Sequence, residues 1–119
     1  MNNKRIENLI PLAVKLISKN FVEKGNVKKV NQGYLASFGP TVITSGLLQA
    51  VSFYSADKDK NKVIKLMYEL IKQELNTNAK NMFEFLTQHN NHKDYIAKNK
   101  IMDANIACKL AIRTFELKE

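Results

Sequence analysis

Thr41-Val42-Ile43-Thr44-Ser45-Gly46-Leu47-Leu48-Gln49-Ala50-Val51-Ser52-Phe53-Tyr54 is the most apolar stretch of the chain, and its spacing decides the fold class. Val42, Ile43, Leu47, Ala50, Val51 and Tyr54 recur near every 3.6 residues, the spacing of a broad apolar stripe on a helix and not of a strand. Thr44, Ser45, Gln49 and Ser52 interrupt the run, so it is too polar for a membrane span. Upstream the apolar pattern extends to Gln32, which gives a mostly buried helical segment over 32–56. Phe38-Gly39-Pro40 falls inside it. Proline removes a backbone donor and disfavours helical geometry in the residue before it, so the segment is expected to bend or break at Gly39-Pro40. Gly46, in mid-helix on this reading, is expected to let a neighbouring helix approach closely.

On the N-terminal side, Ile6, Leu9, Ile10, Ala13, Leu16, Ile17 and Phe21 predict an amphipathic helix from about Lys4 to Phe21. Pro11 inside it implies either a start near Asn8 or a kink. Residues 23–31 read as a basic loop carrying Lys24, Lys28 and Lys29 around Gly25-Asn26. On the C-terminal side a third helix is expected over Asn61–Asn76, capped by Asp59, and a short fourth over Ala79–Gln88, capped by Asn78. After a polar turn at His89–His92, a last helix from about Asp94 to Leu117 is expected to bury Ile96, Ile101, Ala104, Cys108, Ala111, Ile112 and Phe115. No segment alternates with period 2 and no repeat is visible. The expectation is an all-α fold, a compact bundle of about five helices formed by residues 1–119 as one domain, which suits 119 residues with only 4 Gly and 2 Pro.

Composition narrows the function. Cys108 is the only cysteine, which excludes an intramolecular disulfide and a cysteine-based zinc site and suits a reducing, cytoplasmic setting. The opening residues lack the pattern of a secretion signal. Formal charge is +8, which points to an anionic partner such as nucleic acid. Arg5 and Arg113 are the only arginines. Lysine is a flexible point charge suited to phosphate, whereas base reading favours the planar fork of arginine, so contact with the nucleic-acid backbone is expected.

Catalytic signatures fail one after another. Asp57, Asp59 and Asn61 match the first ligand positions of an EF-hand loop, but Lys62 stands where glycine must turn and Tyr68 where a bidentate glutamate is needed. His89, His92 and Asp94 sit in an asparagine-rich turn with nothing to hold them on one face. Ser45-Gly46 lacks the flanks of a nucleophile elbow, and Gly33 and Gly39 begin no phosphate-binding loop. No enzyme activity, cofactor or metal is expected.

The charges form ridges. At 100° per residue, Lys58, Lys62, Lys65 and Lys72 share a narrow arc of the third helix, interrupted by Glu69, and Lys98, Asn105, Lys109 and Arg113 line one ridge of the last. Candidate nucleic-acid contacts are therefore Lys62, Lys65 and Lys72 on one ridge and Lys98, Lys109 and Arg113 on the other. The second is favoured, because it holds a forked donor in Arg113 and a neutral Asn105 able to bond a backbone oxygen.

The segment Tyr34 to Tyr54 resembles the signature helix of the small subunit of the Cmr, or type III-B, CRISPR effector complex: an aromatic, a proline, a small-Gly-Leu step at Ser45-Gly46-Leu47, then Ala50, Val51 and aromatics. Arg5-Ile6-Glu7-Asn8 and a closing helix running from Asp94-Tyr95 to Arg113 resemble the family's two ends. The resemblance implies an all-helical, non-catalytic subunit of antiviral defence. Such a subunit stacks with copies of itself beside the complex's backbone subunits, braces its large subunit, and contacts target and guide RNA chiefly through the backbone. Two alternatives stand beside it: a purely structural interaction module, and the small subunit of the related type III-A complex.

Overall fold

A computed structural model describes residues 2–119. The first helix, α1 (Asn3–Asn20), starts where Asn2 Oδ1 accepts the backbone N–H of Arg5 at 3.0 Å. It therefore begins well before Asn8 and carries Pro11 in its interior. Pro11 lies on the exposed side, while Ile6, Leu9, Ala13 and Ile17 turn inward.

The basic loop expected after α1 is a hairpin. β1 (Val22–Glu23) pairs antiparallel with β2 (Asn26–Lys28), and the two turn residues, Lys24 and Gly25, have φ of 53° and 82°. Positive φ at both positions of a two-residue loop matches the twist of paired strands. The chain's last strand, β3 (Leu117–Lys118), pairs parallel with β2, so that Val27 meets Leu117 and Lys28 meets Lys118. Val27 is fully buried and its N–H donates to Glu116 O at 2.9 Å. This three-stranded sheet corrects the all-α expectation to a mostly helical fold. Strands of two or three residues are too short to display a period of 2.

The central segment is two helices, α2 (Lys29–Ser45) and α3 (Leu47–Ala56). Where a bend or a break was expected at Gly39-Pro40 there is no break: α2 is continuous through it. Gly39 has no Cβ to collide with the proline ring, which removes part of the restraint that proline imposes on its predecessor. Around the missing donor, Ser37 Oγ donates to Gly33 O at 2.9 Å and Thr41 Oγ1 to Ser37 O at 2.8 Å. The break falls at Gly46 instead, with φ 95° and ψ 156°, a region open essentially to glycine alone. Gly46 ends one helix by donating to Val42 O and begins the next by accepting from Ala50 N.

Helix α4 (Asn61–Ile71) is shorter than expected, and Asp57 rather than Asp59 holds its entrance, its Oδ1 accepting the N–H groups of Asp59 and Lys60 at 2.9 and 3.0 Å. The chain turns at Asp57 before the helix starts, so its side chain accepts from the amides two and three residues on, and the helix's own N-cap, Lys60, has no side-chain cap bond. Helix α5 (Met82–Thr87) is capped by Asn81, not Asn78. A 3-10 turn over Gln88–Lys93 leads to α6 (Tyr95–Ile112), which stops five residues before Leu117. There, Thr114 Oγ1 donates to Ala111 O at 2.7 Å, turning the chain towards β3.

Helix α6 lies against α1, α2 and α4, and its buried Ile101, Ala104, Cys108, Ala111 and Ile112 join residues of every other helix in one contiguous apolar cluster. Two phenols fasten the edges. Tyr54 donates to Tyr34 O at 2.8 Å and Tyr68 to Ala79 O at 2.6 Å, and burial raises both above the ordinary tyrosine pKa, keeping them as donors. Ile43 and Ile96, expected inside, are instead 83% and 66% exposed.

Candidate nucleic-acid interface

The lysines of the α4 ridge project outward, as their helical spacing requires: Lys58, Lys62 and Lys65 are exposed, and Lys72 is half-buried with Nζ 6.0 Å from the Tyr68 ring centre. Helix α1 packs beside them. A groove of about 420 Å³ between the two helices is lined by Leu16, Lys19, Asn20, Lys62, Lys65 and Glu69. A second, of about 800 Å³, shares Leu16 and Glu69 with it and adds Lys15 and Lys72. Lys15 and Lys19 were not singled out by the sequence. Their i, i+4 spacing put them on one outer face of α1, but which helix lies alongside that face is a tertiary fact that one helix's pattern does not contain.

The α6 ridge is different. Lys98 and Arg113 are exposed and Lys109 is half-buried, but Asn105 between them is 1% exposed. Its Nδ2 donates to Leu35 O at 3.0 Å and approaches Met67 Sδ at 3.6 Å. The expectation that Asn105 bonds an external backbone oxygen is therefore corrected: α2 and α4 cover the middle of that face. The cause is that α6 is enclosed by three helices, so a polar residue on its stripe can be satisfied internally.

Among the described residues, Arg5, Lys28 and Lys29 are the cations with a carboxylate within 4.0 Å. Lys28 Nζ lies 3.7 Å from Glu23 and Lys29 Nζ 3.4 Å from Glu119, so two of the three lysines expected in the basic loop are compensated. Arg5 reaches the buried carboxylate of Asp103 at 3.2 Å and Glu74 at 3.5 Å, joining the start of α1 to α6. The histidine turn is stitched to α5: Asn91 Nδ2 donates to Phe85 O at 2.9 Å and His92 Nδ1 lies 3.2 Å from Leu86 O. The Asp57 carboxyl is held below the ordinary carboxylate range, first by the backbone N–H of Lys60, so it acts as a cap. Burial pushes the Cys108 thiol up to about 12, far from a reactive thiolate. Among the described residues, no three His, Cys, Asp or Glu side chains gather as a metal site, and no helix is long and apolar enough to cross a membrane.

No match was found among curated proteins or among solved structures. The family model of the CRISPR-associated protein (Cas_Cmr5) matches residues 3–115, from the start of α1 to just past the end of α6. This span takes in every helix described above, including the Gly39-Pro40 passage and the Gly46 break, and so the chain belongs to the Cas_Cmr5 family, the small Cmr (type III-B) CRISPR-associated subunits.

Proposed function

We propose that the chain is a non-catalytic small subunit of an RNA-guided type III-B effector in antiviral defence. It stacks with copies of itself along the filament, beside the backbone subunits and against the large subunit, and touches guide and target RNA through phosphates without reading bases. The observation that carries this reading is the distribution of charge. Lys62, Lys65 and Lys72 stand on one helix face with no carboxylate within 4.0 Å among the described residues, while Lys98, Lys109 and Arg113 offer a smaller set on α6. Lysines left uncompensated on a chain at +8 suit phosphate, and their flexible single charges suit contact that is indifferent to sequence.

One observation favours a contribution from protein contacts as well. Ile43 and Phe53, on either side of the Gly46 break, are 83% and 63% exposed, large apolar side chains that a partner subunit would cover. The scaffold-only reading rests on the same surface.

Purification of the tagged chain from its native cells tests the reading. Recovery of a set of type III-B subunits together with a short guide RNA is the expected result. Recovery of type III-A subunits selects the alternative complex, and recovery of protein partners from which RNA is absent selects the scaffold-only role.

A further inference from the structure

We infer that the trough between α1 and α4 is the seat of a single-stranded RNA backbone, with Lys15 and Lys19 of α1 forming a second wall opposite Lys62, Lys65 and Lys72; the inference rests on the RNA-contacting role proposed above. The two grooves are neighbours along the α1–α4 seam, Leu16 and Glu69 lining both. Lys19 lines one with Lys62 and Lys65, and Lys15 lines the other with Lys72, so the two helices run past each other with lysines on both sides. None of these five lysines has a carboxylate within 4.0 Å among the described residues, in contrast to Arg5, Lys28 and Lys29. Like charges lining one groove repel, and an anion laid between them relieves the repulsion.

The dimensions select the anion. From Lys62 to Lys72 the chain rises about 15 Å at about 1.5 Å per residue, longer than one phosphate, so a lone phosphate would engage only part of the lysine row. A duplex is a rigid rod that meets only the rim of such grooves, whereas a single strand is free to follow them. The floor offers no exposed aromatic ring, since Phe21 is buried, and bases gain no stacking platform there. An acidic amphipathic helix is a poorer occupant: of the floor leucines Leu9, Leu66 and Leu70 are already buried, leaving chiefly Leu12 and Leu16 to receive apolar side chains. Glu69, which lines both grooves, and Glu74, which lines the larger and is paired with Arg5, oppose the bound anion.

Fluorescence anisotropy of a labelled oligouridylate of about a dozen nucleotides, titrated with the full chain between about 50 and 200 mM salt, tests the site. K15Q/K19Q is compared with K98Q/K109Q, which removes the same charge from α6, and with E69Q. The expected result is a loss of roughly tenfold or more for K15Q/K19Q at about 0.1 M salt, with the log–log salt slope shallower by about 1.4, against a much smaller loss for the α6 pair. E69Q is expected to tighten binding several-fold. Lys15 and Lys19 are exposed, so a helical signal by circular dichroism equal to wild type certifies the folded state. Equal losses for the two lysine pairs overturn the trough while leaving RNA contact standing. A wild-type chain that binds no oligouridylate even at low salt overturns the RNA-contacting role and the trough with it. A K15Q/K19Q chain that keeps its RNA affinity but loses co-purifying subunits makes the trough a protein-docking surface and overturns the inference.

Discussion

Asn105 on α6 donates its side-chain N–H to the main-chain carbonyl of Leu35 on α2, at 3.0 Å and in full burial. The bond joins positions seventy residues apart, and one turn further along α2 the place of a Cβ on Gly39 lies 3.7 Å from Asn105 Oδ1. Replacing Asn105 with Ala deletes the bond and leaves a small void, so stability to urea is expected to fall by about 1–3 kcal/mol. Asn105→Asp is expected to cost more, because it sets a carboxylate against a buried carbonyl. RNA affinity of the folded N105A chain should equal wild type; a selective loss of RNA binding at full stability would return Asn105 to the surface role expected of it from the ridge pattern.

Two glycines should respond in opposite directions. Gly46 holds φ 95° with ψ 156°, and a Cβ there would lie 2.7 Å from the Gln49 side-chain oxygen, so Gly46→Ala is expected to destabilise by about 1–3 kcal/mol. Gly33 lies inside α2 with nothing within 4 Å of a Cβ. Gly33→Ala should stabilise by about 0.5–1 kcal/mol. Thermal or urea melts of both variants check the pair, and equal effects would deny the break at Gly46.

Asp57, not Asp59, should matter to the start of α4. Its carboxyl is held below the ordinary range because the charged form accepts backbone N–H bonds. The sign follows: its contribution is complete above the ordinary aspartate pKa and fades as pH falls through the lowered value. Asp57→Asn should therefore flatten the acid limb of stability against pH, and an acid limb identical to wild type would contradict the role of Asp57.

Cys108 should resist a thiol reagent in the native state and react at once on unfolding. With its pKa raised by burial to about 12 from an ordinary value of 9.0, the folded state favours the neutral thiol. Stability from this group is full below the ordinary value and is lost as pH climbs through the interval to about 12. Rapid labelling of folded protein at neutral pH would contradict the burial.

What was legible in the sequence follows from range. The faces of α1 and α4 were readable because Ile6, Leu9, Ala13 and Ile17, or Val63, Leu66, Met67, Leu70 and Ile71, repeat at helical spacing within one element. Gly39-Pro40 misled because the restraint proline imposes depends partly on a Cβ that Gly39 does not have, and the neighbouring Ser37 and Thr41 hydroxyls bond within the same turns. The sheet was hidden because β3 pairs with a strand some ninety positions earlier. At the candidate interface, Lys62, Lys65 and Lys72 were visible as a ridge, but Lys15 and Lys19 become their neighbours only when α1 packs on α4, and Asn105 turns inward only when α2 and α4 close over α6.

The affinity of the chain for two single-stranded RNAs of unrelated sequence, followed across a range of salt, tests most directly whether it meets RNA through phosphates. With three to five lysine–phosphate contacts at about −0.7 each, both RNAs should bind within a few-fold of one another with a common log–log slope between about −2 and −3.5. Strong preference for one sequence at fixed salt, or a slope near zero, would contradict it.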